Sequence, residues 1–152
     1  MKRLITLLLL TSLLAGCRTS PPCQMMPQHN ETMLLMMEAA LYFTLLKEAG
    51  ALPELQPKDH GQTQTMPVAD PLQTAFYPFS AKLTSLVNGR DAVYWYIMTK
   101  QDPSAEWRVA KIWKTDKNNR LLADQLPLPS AAAQTAVNAN LRMKVEAWKK
   151  AQ

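Results

Sequence analysis

The sequence predicts an α+β fold, in which an N-terminal apolar helix and a C-terminal amphipathic helix pack on an antiparallel meander of three or four strands. Three observations predict it. A long apolar stretch ends in helix stop signals, three strand-like runs are joined by turn sequences, and the C-terminal stretch repeats apolar residues at helical spacing. Residues 33–152 are long enough to form a single domain with its own core.

The first helix is predicted over residues 33–49. Asn30 or Thr32 is suited to cap its start, because short polar side chains accept hydrogen bonds from the free N–H groups of a first turn. Lys47 in the last turn and Gly50 just beyond it are typical of a helix end. Apolar side chains surround most of the circumference, which predicts that the helix is buried.

Residues 51–78 are predicted to form a long Pro-rich loop, since five prolines interrupt a stretch rich in Gln and Thr. His60 follows Asp59 in this loop. An Asp-His pair is suited to acid–base catalysis, but no nucleophile accompanies it, and an exposed loop histidine is the simpler interpretation.

The meander is predicted from strand-like runs that follow the loop. Asn88-Gly89 lies between the first two runs and is typical of a type I′ hairpin turn, whose central residues both need positive φ. Lys111 interrupts the alternation of the third run and predicts a β-bulge. The predicted strands are 79–87, 92–100, 107–115 and a short edge strand within 121–128.

Both faces of the middle strand are apolar from Val93 to Met98, and Trp107, Val109 and Trp113 are predicted to extend one of these faces. Helices therefore cover both faces, or one face lines a pocket. Aromatic rings interleaved with basic residues could stack on sugars and bind anionic groups, whereas core aromatics flanked by edge charges explain the same pattern. The candidate binding surface is Tyr94, Tyr96, Trp107, Arg108, Lys111, Trp113 and Lys114.

The last helix is predicted to begin after Ser130, a suitable N-cap. Its apolar stripe should pack on the sheet and consists of Val137, Leu141, Val145 and Trp148. A helix followed by a curved sheet, together with the strand sequence of residues 107–113, resembles NTF2-like and cystatin-like domains. That resemblance covers one strand and implies no catalytic residues.

Residues 1–16 are predicted to be a cleavable signal peptide, in which basic residues precede an apolar run over 4–14. The run is too short to span a bilayer, which takes roughly 20 apolar residues. Leu14-Ala15-Gly16-Cys17 resembles the lipobox of bacterial prolipoproteins. The resemblance implies lipid on the Cys17 sulfur, cleavage before Cys17 and acylation of the new amino terminus. The alternative is ordinary secretory cleavage that leaves Cys17 as a free thiol.

Residues 17–32 are predicted to be a lipidated flexible tether. Arg18 rather than Asp follows Cys17, and by resemblance to lipoprotein sorting in enteric-type bacteria this favours the periplasmic face of the outer membrane over the inner membrane. Several acyl chains, palmitate among them, would attach the protein stably to the bilayer. Cys23 is then the remaining thiol, either reduced or linking two copies through a disulfide.

The charge is unevenly distributed. Because Lys2 and Arg3 leave with the signal, the 17 basic residues fall to 15 against 12 acidic ones, a net charge of +3. Residues 17–81 carry −3 and residues 82–152 carry +6. The basic half is suited to anionic lipid headgroups, lipopolysaccharide phosphate or peptidoglycan carboxylates, although a solvated basic surface without a dedicated partner is the simpler interpretation. We do not expect nucleic acid as a partner in the periplasm.

No motif in the sequence indicates a reaction, a cofactor or a metal site. The leading hypothesis is a non-catalytic protein-interaction module, either an envelope assembly partner or an immunity protein that neutralises a toxin. The alternative is a small-ligand or glycan binder with an aromatic pocket. Less favoured hypotheses are an enzyme and a copper-handling protein, whose thioether and imidazole ligands would be Met25, Met26, His29, Met33, Met36 and Met37.

Overall fold

The computed structural model describes residues 26–52, 54–56, 61–68, 77–87 and 90–152. The chain divides into two compact units, Met1–Glu31 and Thr32–Gln152, and the second contains the sheet. The α+β architecture is as predicted, with two helices that flank an antiparallel meander and contact both it and each other. The elements are α1 (Met26–Glu48), β1 (Gly61–Pro67), β2 (Phe79–Val87), β3 (Ala92–Lys100), β4 (Arg108–Asp116), β5 (Leu121–Ala123) and α2 (Ala131–Lys150).

Helix α1 begins earlier than predicted, so residues 26–32, which were expected to be tether, are helical. Pro27 stands in the first turn, where the missing N–H would have no helical partner, and it therefore does not oppose the helix. The end of α1 is as predicted. Gly50 has a left-handed φ of 65°, its N–H donates to the Lys47 carbonyl, and the Ala51 N–H donates to the Leu46 carbonyl. In the part of the chain that the structure describes, no helix is long and apolar enough to cross a bilayer.

The sheet has five strands, because β1 lies inside the stretch predicted to be a loop. Its sequence, Gly-Gln-Thr-Gln-Thr-Met-Pro, has no alternation of apolar and polar residues and therefore no strand signal. The pairing of β1 with β2 is antiparallel over its whole length, from Gly61 opposite Val87 to Pro67 opposite Ala81. The backbone pairing with β2, rather than apolar burial, defines this strand.

The remaining strands pair in the order β2-β3-β4-β5, each antiparallel to the next. The turn Asn88-Gly89 lies outside the described residues, although the two strands that it would join are paired. The bulge predicted at Lys111 is confirmed, since Ile97 pairs with Lys111 while Met98 pairs with Val109. β4 thus has one extra residue at this point.

The bulge places the tryptophans of this region on opposite faces. After it, Trp113 pairs with Trp95, whereas Val109 pairs with buried Met98 before it. Trp107 is buried on the same side as Val109. The prediction that Trp107, Val109 and Trp113 extend a single face is therefore wrong for Trp113, because an inserted residue shifts the alternation that follows it.

One face of the sheet, which we call the inner face, contributes to a single hydrophobic core with both helices. Phe43 of α1 packs edge-on against Tyr96 with ring centroids 4.9 Å apart, and Phe79 does the same against Trp107 at 6.1 Å. The inner face comprises Phe79, Ala81, Leu83, Val87, Tyr94, Tyr96, Met98, Val109 and Ile112.

Helix α2 is attached to the edge of β4 by two buried amides one turn apart. The Asn138 amide accepts a hydrogen bond from the Trp107 N–H at 3.0 Å and donates one to the Trp107 carbonyl at 2.9 Å. Gln134 Oε1 accepts from the Val109 N–H at 2.9 Å and from the Tyr42 hydroxyl at 3.2 Å. These side chains bind backbone groups at an edge of β4 as a neighbouring strand would.

The predicted N-cap of α2 is confirmed, since the Ala133 N–H donates to Ser130 Oγ at 3.2 Å. The predicted apolar stripe is buried only in part. Val137 and Leu141 belong to the core and Val145 packs beside it, but Trp148 is 41% exposed.

Candidate functional site

The structure does not bring the predicted binding residues together on one surface. Tyr94, Tyr96 and Trp107 are buried in the core. Arg108 is exposed and forms an ion pair with Glu106 at 2.8 Å. Half-buried Lys114 pairs with Tyr94 across the strands, on the inner side of the sheet.

Lys111 and Trp113 of the predicted set lie together on the other side of the sheet, which we call the outer face and define by Lys82, Trp95, Ile97, Lys111 and Trp113. Arg108, opposite Thr99, is on the same side at the start of β4. The Trp95 and Trp113 rings are stacked, with centroids 5.7 Å apart and planes inclined by 9°. The ammonium groups of Lys82 and Lys111 lie 5.2 Å and 5.7 Å from the centroids of Trp95 and Trp113. These cation–π contacts already use the ring faces that a sugar would stack on.

A concave surface lies between the two helices, and we call it the interhelical groove. Its apolar section has a volume of about 420 Å³. Leu34, Met37 and Leu41 of α1 form one wall, and Val145 and Trp148 of α2 form the other. Apolar side chains are exposed here although α1 was expected to be buried: Leu34 is 42% and Met37 is 55% exposed. That prediction is wrong for this side of α1.

A polar section of about 260 Å³ adjoins the apolar one, and Glu38, Val145 and Lys149 line both. Glu38 Oε2 accepts hydrogen bonds from Lys100 Nζ and from Trp107 Nε1, each at 3.2 Å. The Glu38 carboxylate is therefore neutralised by the sheet beneath it rather than left to repel an acidic ligand.

Glu106, a second carboxylate at the polar section, is also paired. Glu106 accepts from Arg108 and from Arg142, each at 2.8 Å. The Arg142 contact connects the β3–β4 loop to α2 beside the polar section. A third carboxylate, Glu146, lines only the polar section and forms no ion pair within the described residues. In the apolar section the one acidic side chain is Glu38, which is paired, so that section presents apolar surface and basic side chains.

The cationic groups of the apolar section are Lys144 and Lys149 of α2. Both are exposed, and within the described ranges neither forms an ion pair. The groove thus combines two apolar walls with a basic rim on the α2 side, formed by Lys144 and Lys149.

Sequence reasoning did not predict that Leu34, Met37 and Trp148 share one groove, although two signals pointed to their exposure. The apolar character of α1 extends around more of the helix than one sheet can cover. The α2 stripe also continues to Trp148 in the last turn of the helix, beside Lys149 and Lys150.

Several residues with predicted roles lie outside the described part of the chain, namely Cys17, Cys23, Met25 and His60. Of the methionines considered as copper ligands, Met33 and Met37 are exposed and Met36 is half-buried. Within the described residues, no three His, Cys, Asp or Glu side chains cluster in a way that could hold a metal ion.

Comparison with protein-family models, with curated proteins and with solved structures found no match to this chain.

Proposed function

We propose that this protein is a lipoprotein attached through acylated Cys17 to the periplasmic face of the outer membrane, and that its domain is a non-catalytic module that binds an envelope protein. The observation that carries the proposal is the interhelical groove. Leu34, Met37 and Trp148 are exposed together in one concavity, and clustered exposed apolar side chains in a folded domain are typical of interaction sites.

Energetics support binding at this place. Covering a large apolar side chain that is half exposed contributes about 1 kcal/mol, because full burial contributes roughly 1.5–3 kcal/mol. Trp148 is the residue type that most often dominates binding energy at an interface. Met37 has an unbranched side chain that adapts to different partners.

Photo-crosslinking in cells tests the binding site. A benzophenone amino acid placed at Leu34, Met37 or Trp148 should yield a covalent adduct with one partner protein. The matched controls are Leu121 and Leu122 of β5, which are 55% and 51% exposed and do not line the groove. Equal adducts at groove and control positions, or none at the groove, would contradict a protein-binding groove. Adducts with lipid alone would favour the small-ligand alternative.

Membrane attachment is tested separately. With Cys17→Ser, we expect loss of metabolic labelling by a palmitate analogue and release of the protein from membranes by buffer, whereas the wild type needs detergent. With Arg18→Asp, we expect the protein to move from outer-membrane to inner-membrane fractions on a density gradient. A buffer-soluble wild type would contradict the anchor.

A further inference from the structure

We infer that the ligand of the interhelical groove is an acidic amphipathic helix of the partner protein, held by apolar anchors in the groove and by carboxylates on the Lys144–Lys149 rim. The inference rests on the proposed function and adds the shape and charge of the partner segment.

The spacing of the groove residues indicates a helical partner. Leu34, Met37 and Leu41 stand at positions i, i+3 and i+7 of α1, and Val145 and Trp148 stand at i and i+3 of α2. These spacings form a ridge on each helix with a furrow between them, the surface into which the ridge of a third helix packs. The stretch from Leu34 to Leu41 is about 10 Å long, so it matches about two turns of a bound helix.

The apolar section of the groove is suited to a few large apolar side chains of the partner, which would act as its anchors. Its volume of about 420 Å³ lies within the range of ligand sites, roughly 300–1,000 Å³. Recognition of an amphipathic helix in a groove by anchors at i, i+3, i+4 and i+7 uses sites of this kind.

The charged side chains that line the apolar section determine which charge the partner helix should carry. Lys144 and Lys149 line the apolar section and form no ion pair with described residues, while Glu38 beside them is neutralised by Lys100. A basic helix would meet uncompensated like charges on the α2 side. An acidic helix would place carboxylates next to both ammonium groups, which accelerates association and selects against basic partners.

The same charges disfavour a second copy of this chain as the ligand. In a two-fold symmetric dimer built on this groove, Lys144 and Lys149 of both copies would lie in one interface, which would then hold four ammonium groups. Like charges facing one another across an interface oppose association. The groove is therefore complementary to an acidic helix and not to itself.

The test uses the mature chain, residues 17–152 with Cys17→Ser, and two stapled model helices of about four turns. Both carry Leu at i, i+3, i+4 and i+7. One has Glu at its remaining charged positions, and the other has Lys. Binding is followed through peptide fluorescence anisotropy and through tryptophan emission, with Trp148→Phe identifying the signal from the groove.

We expect the acidic helix to bind and the basic helix to bind about tenfold more weakly, as expected for two exposed ion pairs. The variant K144E/K149E should reverse this preference. The variant K117E/R120E, which makes the same change in net charge in the β4–β5 loop, should keep the wild-type preference. The variant L34E/M37E should lose binding of both helices.

The inference is overturned if the two model helices bind equally, if K144E/K149E keeps the wild-type preference, or if neither helix binds. Dodecanoate that changes Trp148 emission when neither helix does would assign the groove to an acyl chain instead. Adducts at Leu34 and Trp148 with a basic or extended protein segment would overturn the inference and leave the proposed function standing. If no protein adduct forms at Leu34 and Trp148, the proposed function itself is contradicted.

Discussion

The two faces of β3 are similarly apolar in sequence but lie in different environments. Tyr96 and Met98 on the inner face are 1% and 0% exposed and pack against helices. Trp95 and Ile97 on the outer face are half-buried, and the ring of Trp95 is covered by Trp113 and the Lys82 ammonium. Apolar strand residues therefore indicate where the sheet can be covered. Whether helices or long amphipathic side chains cover them depends on the rest of the fold.

The largest expected difference between the two faces is in the free energy of unfolding when Met98 and its neighbour Ile97 are each truncated. Met98→Ala should lower the free energy of unfolding by about 2–5 kcal/mol, because it opens a cavity in a fully buried site. Ile97→Ala should lower it by about 1 kcal/mol, since a half-buried side chain loses less apolar burial. Urea unfolding of both variants measures this. Equal losses would show that the outer face is as completely covered as the inner face.

The inner face should also depend on its polar attachment to α2. Asn138→Ala leaves the Trp107 N–H and carbonyl without their partner in a buried place, and we expect a loss of about 2–3 kcal/mol. Asn140→Ala, two residues along the same helix and exposed, should change stability by less than about 0.5 kcal/mol. Thermal and urea unfolding distinguish the two. A small effect at Asn138 would mean that α2 is held by apolar packing alone.

A smaller difference in the free energy of unfolding is expected between variants of two buried tyrosines. Tyr42→Phe removes the hydrogen bond to Gln134 and should cost about 1 kcal/mol. The Tyr96 hydroxyl is buried and has no hydrogen-bond partner among the described residues, so Tyr96→Phe should leave stability unchanged or raise it slightly. Urea midpoints at neutral pH measure both changes. A loss at Tyr96 as large as that at Tyr42 would contradict the assignment.

The same tyrosines should make the protein sensitive to alkali. Burial raises the pKa of Tyr42 from 10.0 to about 12 and raises the pKa of Tyr96 further. Above pH 10 the unfolded chain ionises these hydroxyls while the folded chain keeps them neutral. Their contribution to the free energy of unfolding is therefore complete below pH 10 and is lost as the pH rises from 10 towards 12. Tyr96→Phe should make the decline between pH 10 and 12 shallower than in the wild type, as urea unfolding across this range would show.

The smallest effect is expected on the outer face. A double-mutant cycle between Lys82 and Trp95 should give a coupling energy of about 0.5 kcal/mol, the size of a cation–π contact near solvent. A cycle between Lys82 and the distant Trp148 serves as the control and should give no coupling. Coupling of several kcal/mol at Lys82 and Trp95 would place this pair in a fully desolvated environment.

Much of the fold could be predicted because its signals are local. Gly50 ends α1 since it adopts positive φ without strain, Ser130 caps α2, and Lys111 indicates the bulge because a charge interrupts an apolar alternation. β1 could not be predicted, because backbone pairing with β2 leaves no pattern in its own side chains. The site was missed for a related reason, since Leu34 and Met37 look like core residues in sequence.

Signals between residues close together in the chain were enough to predict the two helices, the order of β2 to β5 between them, the end of α1, the start of α2 and the bulge, and they carry the resemblance to a lipobox at Cys17. Tertiary structure decided which apolar residues are buried. α1 and α2 pack on the inner face, where Tyr42 of α1 and Val137 of α2 are buried in the core. Leu34 of α1 and Trp148 of α2 remain exposed in the groove between the helices. Exposure depends on how distant elements pack, and a side chain's hydrophobicity alone does not specify its neighbours.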